Sequence, residues 1–329
     1  MLVGLTYDLR DDYRALGLPE EDVLEFDSEE TIAAIEGTLQ ALGYATRRIG
    51  RLQSLVSRLA QDERWDIVFN VAEGLSGSGR EAAVPALLDA YGIPCTFSDP
   101  LTLCVTLDKA AAKKIVRHAG LPTPDFAVCA GAADLARVSL SFPLFVKPLS
   151  EGTGKGIGAK SLARSPEELR SAAEALIARF RQPVLVESFL PGREFTVGIA
   201  GTGPDARVLG VMEVVFGEKA DGEIYGSLNK EECDTRVSYR LADDATAREA
   251  AAVALASYRE LGCRDAGRVD LRADAQGRVH FMEVNPLAGL HPGHSDLPIL
   301  CRLAGIPYRD LLDAVMTSAT KRCDLPRPG

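Results

Sequence analysis

The segment at residues 267–286 constrains the fold most strongly, because polar and apolar residues alternate at both of its ends and a turn sequence lies between them. Side chains along a β-strand point alternately to its two faces. Arg268 and Asp270 therefore share one face of the first strand. By the same rule, Glu283 and Asn285 share one face of the second strand. The pattern predicts a β-hairpin with one polar and one apolar face.

The turn decides how the two strands pair. A two-residue turn at 275–276 would place Arg268 opposite Glu283. The same turn would place Asp270 opposite Phe281, so that all four polar residues of the hairpin point to one face. The opposite face would carry Val269, Leu271, Met282 and Val284. A change of one residue in the loop would break this match, so the pairing is conditional on the turn.

The polar face of the hairpin has the chemistry of a metal site. Two carboxylates, an amide oxygen and a guanidinium are costly to bury together without a ligand. Mg²⁺ prefers a few such oxygens together with phosphate oxygens and water. The alternative is a solvated hairpin face with an Arg–Glu pair across the strands. Asn285 followed by Pro286 favours the site, because neither residue helps to form a strand.

Strands and helices alternate along the rest of the chain, which predicts an α/β fold. In the first hundred residues this alternation indicates βαβ units and an open parallel sheet. Two smaller α+β lobes are predicted to follow it. The predicted strands are 1–7, 65–71, 93–97, 143–147, 184–187, 194–201 and 207–216, and the predicted helices are 28–43, 82–91, 106–119, 166–180 and 242–261. The predicted domains are 1–105, 106–190 and 191–321, with a frayed tail at 322–329.

A glycine-rich loop follows the strand that ends at Lys147, with glycines at 152, 154, 156 and 158. Such a backbone approaches an anion closely, and Thr153 adds a hydroxyl. A P-loop is rejected because Lys155 precedes a glycine instead of Ser or Thr. A dinucleotide fingerprint does not fit either, because it would follow the first strand of a βαβ unit and this loop lies far into the chain. A flap that closes over a triphosphate remains, and a glycine loop without a ligand is the alternative.

Composition excludes several partner classes. The formal net charge of −10 and the lack of a dense basic cluster argue against nucleic-acid binding. No run approaches eighteen apolar residues, so we expect no membrane span. The seven cysteines form no C-x-x-C motif, which indicates a reducing cytoplasm. A zinc site at His291 and His294 lacks a third clustered ligand, and a loop that lines the substrate site is favoured.

Taken together, these segments resemble the ATP-grasp superfamily and, within it, the D-alanine–D-alanine ligase branch. The best-matched stretches are 98–109, 142–158, 184–197 and 267–298. The resemblance implies an N-terminal open-sheet domain followed by two lobes that clamp ATP. It also implies an ADP-forming ligase that activates a carboxylate as an acyl phosphate and joins it to an amine. Two Mg²⁺ ions, with Mn²⁺ as a substitute, would bridge the phosphates.

The resemblance assigns roles to individual residues. For the nucleotide it implies phosphate contacts from Lys109, Lys147 and Lys230, a flap with Gly152, Thr153 and Gly154, an adenine hinge from Glu187 to Leu190, and a ribose contact from Glu194. For the metal ions it implies Asp270, Glu283 and Asn285. For the chemical step it implies Arg268 and the Gly289 N–H at the oxyanion, with Thr153 and Lys230 nearby, and for the second substrate's carboxylate it implies Ser295.

The chain departs from that family where the amino acids would bind. The loop at 70–81 has no histidine, and the N-terminal Gly-Gly-x-Ser segment is missing, so that only Glu25 or a neighbour offers a partner for an ammonium. Glu231 stands where the family often has a tyrosine. Further candidates for substrate contact are Glu73, Arg80 and His291. We therefore expect a ligase for an amino acid or another small carboxylate and a small amine.

Two alternatives remain open beside that hypothesis. One is D-alanine–D-alanine ligase itself, which acts in cell-wall synthesis. The other, from a different class, is a nucleotide-binding protein that has lost catalysis, against which the intact hairpin residues argue. A homodimer is an expectation of the resemblance alone.

Overall fold

The computed structural model describes residues 1–23, 25–216 and 237–328. The predictions for Lys230 and Glu231 lie outside these ranges. The strands are β1 (Leu2–Thr6), β2 (Ala45–Gly50), β3 (Ile67–Asn70), β4 (Phe126–Cys129), β5 (Leu144–Pro148), β6 (Leu162–Ala163), β7 (Val184–Ser188), β8 (Glu194–Ala200), β9 (Arg207–Phe216), β10 (Val237–Leu241), β11 (Ala266–Ala273) and β12 (Val279–Asn285).

The helices are shorter than the predicted ones at most ends. They are α1 (Arg10–Ala15), α2 (Glu29–Ala41), α3 (Leu52–Leu59), α4 (Ala83–Ala90), α5 (Pro100–Leu107), α6 (Lys109–His118), α7 (Ala132–Leu135), α8 (Pro166–Phe180), α9 (Ala245–Glu260), α10 (Asp296–Leu303) and α11 (Tyr308–Arg322). Across the described ranges, no helix has the length and apolar character needed to cross a membrane.

The first sheet is parallel, in the order β2-β1-β3, as the apolar strands predicted. The strand expected at 93–97 is reduced to a single bridge between Val68 and Cys95. Pro94 has no N–H to donate, and Phe97 has a φ of 67°, so the chain leaves the sheet after one pairing. Strand β2 was not predicted, because it contains two arginines and its alternate residues are exposed, which is not the apolar pattern of a buried strand.

The second sheet is antiparallel, in the order β4-β7-β5-β6. Helix α8 covers it with an apolar face that packs on the buried residues of β5 and β7. The helix begins where the sequence indicates, because the Ser165 hydroxyl accepts a hydrogen bond from the Glu168 N–H and Pro166 follows at the first helical position. The glycine loop connects β5 to β6, which pair antiparallel. It is therefore a flap between antiparallel strands; we call residues 149–158 the flap.

The third sheet is antiparallel as well, in the order β10-β9-β8-β11-β12, and α9 packs on one face of it. The opposite face of β11 and β12 looks towards the flap across a cleft. The predicted helix at 242–261 begins at Ala245 instead, because the Asp244 carboxylate accepts the Ala247 N–H at 2.9 Å and caps it.

The prediction of a single helix at 106–119 is wrong. The structure has α5 and α6 on either side of Asp108, whose ψ of 97° is extended and whose carboxylate caps α6 through the Ala110 and Ala111 N–H groups. This break has a consequence for the site. Lys109 becomes the first residue of α6, where its side chain reaches the flap.

The predicted frayed tail is wrong for its first residues. Arg322 ends α11, and its guanidinium bonds the buried Asp265 carboxylate at 2.7 Å and the Cys95 carbonyl. Helix α11 packs against α2 and shares a core with β1, in which Val315 and Met316 are fully buried. The three sheets fall within the three predicted domain ranges, but α11 joins the core of the first. The division into domains therefore stays a prediction.

Candidate functional site

Strands β11 and β12 carry the four polar residues of the predicted site. The observed register pairs Arg268 with Asn285 and Asp270 with Glu283, so the predicted pairing of Arg268 with Glu283 is wrong. The four side chains nevertheless lie on one face, because directly paired residues point the same way. The polar face is therefore preserved with different partners.

A β-bulge explains why the face survives. Near the turn, Ala273 pairs with Val279, a register that would put Asp270 opposite Met282 and split the polar residues between faces. The register shifts by one residue between Asp270 and Leu271, and Met282 is the extra residue. Met282 thus lies along the cleft beside Glu283, which corrects its predicted place on the apolar face.

Asp270 is held from three sides. The Thr196 hydroxyl donates to its Oδ1 at 2.9 Å, and the Asn285 amide donates to its Oδ2 at 3.3 Å. The Arg268 guanidinium forms an ion pair with the same Oδ2 and lies 3.6 Å from Asp296 Oδ2. The carboxylates around Arg268 keep its pKa above the ordinary value although burial opposes its charge. These bonds fix the orientations of the Asp270 carboxylate and the Arg268 guanidinium.

A row of alternating charges runs from the protein interior to the cleft. Its members, which we call the charge row, are Lys113, Glu187, Lys147, Glu283 and Lys109. Glu187 lies 2.6 Å from the Lys113 ammonium and 3.0 Å from that of Lys147. Glu283 Oε2 lies 3.7 Å from both Lys147 and Lys109. The two lysines predicted to grip phosphate therefore meet at a predicted metal ligand.

Burial and charge act against each other in this row. Burial favours the neutral forms, but the two lysines beside Glu187 hold its pKa below the ordinary value, and the carboxylates beside Lys147 hold the pKa of that lysine above it. For Lys113 burial prevails and lowers the pKa to about 8. Lys113 was not identified from the sequence, although it lies four residues after Lys109 and therefore on the same face of the helix.

Two cavities meet at the end of the charge row. The larger has a volume of about 600 Å³ and lies between the hairpin, the flap and the N-terminal domain. The smaller has about 80 Å³ and lies between β5 and the hairpin, where Glu194 and Met282 line it. Both are lined by Lys109, Glu151 and Glu283. The two cavities therefore adjoin at these residues.

The predicted nucleotide residues fall into three places. Glu194 lines the smaller cavity and pairs with Arg272 at 3.1 Å. The Glu187 side chain is buried under Lys147, so only its backbone remains for an adenine hinge, and Leu190 is buried close to it in sequence. The flap residues line the cavities, Gly152 and Thr153 the larger one and Gly154 the smaller.

The far wall of the larger cavity carries three carboxylates from two segments of the chain: Asp27, Glu73 and Glu81, which we call the carboxylate wall. Within the described ranges, these carboxylates form no hydrogen bond or ion pair. Burial raises the pKa of Asp27 and of Glu81 to about 7. Burial, together with the charge of Glu81, raises the pKa of Glu73 well above its ordinary value. Asp27 and Glu81 were not identified from the sequence.

The loop after β12 supplies the remaining predicted residues. The Ser295 hydroxyl accepts the His291 N–H at 3.0 Å, and a Cβ at position 289 would lie 2.8 Å from it, so that only glycine fits there. The His291 Nδ1 accepts the N–H groups of Gly293 and His294, which leaves Nε2 facing Glu30 at 3.6 Å. In the described part of the chain no group of three His, Cys, Asp or Glu residues is arranged to hold a metal ion.

Comparison with known structures identifies the class. The D-alanine–D-alanine ligase of Bacillus anthracis, solved in complex with ATP, superimposes with a TM-score of 0.73 over 98% of this chain and 99% of its own, at 23% identity. The VanG D-Ala:D-Ser ligase of Enterococcus faecalis gives 0.73 over 97% and 99%, at 20% identity. These similarities show an ATP-grasp fold, as predicted.

Sequence comparison then identifies the family. The family model "D-ala D-ala ligase C-terminus" matches residues 115–317. The D-alanine–D-alanine ligase of Bordetella pertussis is 36% identical over 245 residues, which cover 73% of this chain and 75% of that protein. The chain belongs to the D-alanine–D-alanine ligase family. This membership confirms the predicted enzyme class, an ATP-dependent, ADP-forming carboxylate–amine ligase.

Proposed function

We propose that the enzyme binds ATP across the two adjoining cavities and joins an amino acid or another small carboxylate to a small amine. The observation that carries the proposal is the meeting of both cavities at Lys109 and Glu283. A nucleotide whose ribose lies beside Glu194, at the smaller cavity, would extend its phosphates to that junction. The larger cavity then receives the two substrates.

The hairpin residues fit a magnesium site. Asp270, Glu283 and Asn285 offer two carboxylates and an amide on one face, which is the type of oxygen donor that Mg²⁺ takes alongside phosphate oxygens. These residues would hold one or two ions, and Mn²⁺ suits the same donors. When bound, the metal neutralises charge on the phosphates during transfer.

The side chains of the cleft support both half-reactions. Lys147 and Lys109 hold their positive charges at the junction, where the γ-phosphate would lie as a carboxylate attacks it. The product of this step is an acyl phosphate, which the amine attacks to form the amide and release phosphate. Arg268 and Gly289 line the larger cavity, and in this proposal the guanidinium and the Gly289 N–H stabilise the oxyanion of that second step. Lys230 and Thr153 keep their predicted roles there as proposals.

The opposite walls of the larger cavity suit the two ends of an amino acid. Ser295 offers a hydroxyl and His291 an Nε2–H for a carboxylate. Glu73 and Glu81 offer carboxylates for an ammonium, which would stabilise their ionised forms. An amino acid bound between these walls would have its functional groups directed at opposite ends of the cavity.

D-alanine–D-alanine ligation is the second candidate, and the relatives favour it. The Bordetella pertussis enzyme and other relatives carry that name. An uncharacterised protein of Sinorhizobium fredii, 31% identical over 263 residues that cover 78% of this chain and 75% of that protein, favours neither candidate. The carboxylate wall, built from the region that departs from the family pattern, favours a different substrate pair.

The deciding experiment measures ADP release across a panel of D- and L-amino acids and other amines, with mass spectrometry of the products. We expect one pair other than two D-alanines to give an amide with one ADP per bond. D-Ala-D-Ala as the dominant product would favour the second candidate. ATP turnover that needs no carboxylate, or no turnover with any pair, would exclude the ligase proposal.

We also propose that the enzyme acts in the reducing cytoplasm on small molecules alone. The described cysteines are free, and most of them are buried. The net charge of −10 supports the absence of a nucleic-acid partner. A homodimer stays an expectation of the family resemblance.

A further inference from the structure

Three side chains hold the flap against the N-terminal domain. Glu25 Oε1 accepts the Gly152 N–H at 2.7 Å, and Glu25 Oε2 lies 3.1 Å from the Lys155 ammonium. Arg80 donates to the Ser150 carbonyl at 2.9 Å and lies 3.7 Å from Glu25. Three of these contacts join the flap to Glu25 or Arg80, two residues far away in the sequence, and the fourth joins Arg80 to Glu25.

These contacts are enclosed by protein. The side chains of Glu25, Arg80 and Lys155 are 6%, 7% and 8% exposed, respectively. One carboxylate therefore lies between two cations where water has little access, which strengthens their attraction. Burial alone would raise the pKa of Glu25, but the two cations and the Gly152 N–H hold it below the ordinary value. The carboxylate is ionised and fully engaged.

The flap is shaped for this contact. A Cβ at position 152 would lie 2.6 Å from Glu25 Oε1, so the glycine permits the carboxylate to reach the backbone N–H. Lys155 extends the contact by donating to the Asp22 carbonyl at 3.4 Å. The flap therefore has a backbone attachment to Glu25 and side-chain attachments to Asp22 and Glu25.

We propose that Glu25, Arg80 and Lys155 form a clasp that holds the flap closed over the reaction, and that they act as positioning residues instead of substrate ligands. The assignment revises the roles that the sequence suggested for Glu25 and Arg80. It rests on the proposed function in one respect, namely that the flap covers an acyl phosphate. The carboxylate wall is then left to recognise the substrate ammonium.

The consequence of the clasp is chemical. If the flap opens while the acyl phosphate is present, water attacks the acyl carbon and the bond to the phosphate oxygen breaks. The original carboxylate and inorganic phosphate result, and one ATP has been consumed without an amide. Keeping the flap closed therefore determines how many amide bonds form for each ADP released.

The test compares K155Q with K160Q. Both lysines belong to the loop that connects β5 and β6, but the Lys160 side chain is exposed and forms no hydrogen bond or ion pair with a described residue. The first measurement, made without substrates, is the rate at which thermolysin cleaves the flap, because cleavage follows the population of the open form. Thermolysin prefers large apolar residues, so a Lys→Gln change leaves its sites intact. We expect K155Q to be cleaved about tenfold faster, the factor equivalent to about 1.4 kcal/mol.

The second measurement is the ratio of ADP released to amide formed, for the pair that the panel identifies. We expect the ratio to rise in K155Q, to stay at the wild-type value in K160Q and to recover in K155R, which restores the charge. Adding E25Q to K155Q should add little to the cleavage rate, because both changes break one contact. The same comparison with E25Q alone covers the case in which K155Q fails to fold.

The outcomes separate the clasp from the proposed function. Wild-type cleavage in both K155Q and E25Q would overturn the clasp, and so would equal acceleration in K160Q. Altered turnover with unchanged cleavage would also overturn it, because Lys155 would then act on the substrate. If no substrate pair yields an amide, the proposed function fails, while the cleavage measurement still decides on the clasp.

Discussion

The two sides of the cleft treat charge differently. On the hairpin side, the charge row pairs every carboxylate with a lysine, and Asp270 is bonded by Arg268 and Thr196. On the N-terminal side, the carboxylate wall has no hydrogen-bonding or ion-pairing partner among the described residues, and its pKa values are raised. One side has its charges balanced by the protein, and the other has charges that a bound cation would balance.

This difference separates chemistry from specificity. Paired charges keep a fixed geometry, which phosphate transfer requires of the groups that hold ATP and the metal. Unpaired carboxylates raise the energy of the site until a cation arrives, so they favour substrates that carry one. We therefore expect changes on the hairpin side to affect turnover and changes on the carboxylate wall to affect the KM of the substrate whose ammonium it binds.

The largest expected effect is that of Glu283→Gln. This change removes a proposed metal ligand and the anion shared by Lys109 and Lys147, and we expect kcat to fall more than about 10²-fold, beyond what the loss of an outer-shell group typically costs. Steady-state ADP release measures it. Glu260→Gln, at the exposed end of α9, is the matched control. Turnover close to wild type in E283Q would mean that the junction of the two cavities is not the site of phosphate transfer.

Lys113→Met should act on stability before it acts on turnover. Removing one partner of a buried ion pair typically costs about 3–5 kcal/mol, and we expect the lower end because Glu187 retains Lys147. Urea denaturation gives the free energy of unfolding. Lys114→Met, one residue along on the exposed side of α6, should change it little. An equal loss of unfolding free energy in both variants would show that the ion pairs of Lys113 contribute no more to stability than an exposed lysine does.

The smallest effect concerns pH and the carboxylate wall. The pKa of Glu81 is raised to about 7, so the ionised form that binds an ammonium becomes dominant only above that pH. The KM for the amino acid whose ammonium binds there should fall about tenfold between pH 6 and 8 while the KM for ATP stays level. Glu81→Gln should flatten the profile, whereas Glu174→Gln, exposed on α8, should preserve it. If the pH dependence of this KM is unchanged in E81Q, other residues recognise the ammonium.

The sequence predicted the parts of the site that lie on one continuous segment. The polar face of the hairpin needed only the alternation of side chains along two adjacent strands, and it survived an incorrect register. The register itself depended on a bulge at Met282, which no residue pattern marked. The break at Asp108 was missed because the helical pattern continues on both sides of it.

Other parts came together only in three dimensions. The carboxylate wall joins residues 27, 73 and 81, of which the sequence indicated only Glu73 as a candidate for substrate contact. Lys113 reads as a surface lysine of a helix until Glu187 is seen beside it. Glu25 was expected to meet a substrate ammonium, and the structure shows its carboxylate bonded to the flap.

By itself, then, the sequence determined the family and the ATP-grasp fold and supplied the residues proposed for phosphate transfer, because these depend on short segments whose residue types and spacing are fixed by the strand period and the glycine loop. The tertiary structure decided which carboxylates are neutralised by the protein and which are left for a ligand. The physical reason is that the pairing and burial of a charge depend on the distance to residues far away in the chain, which local patterns do not encode.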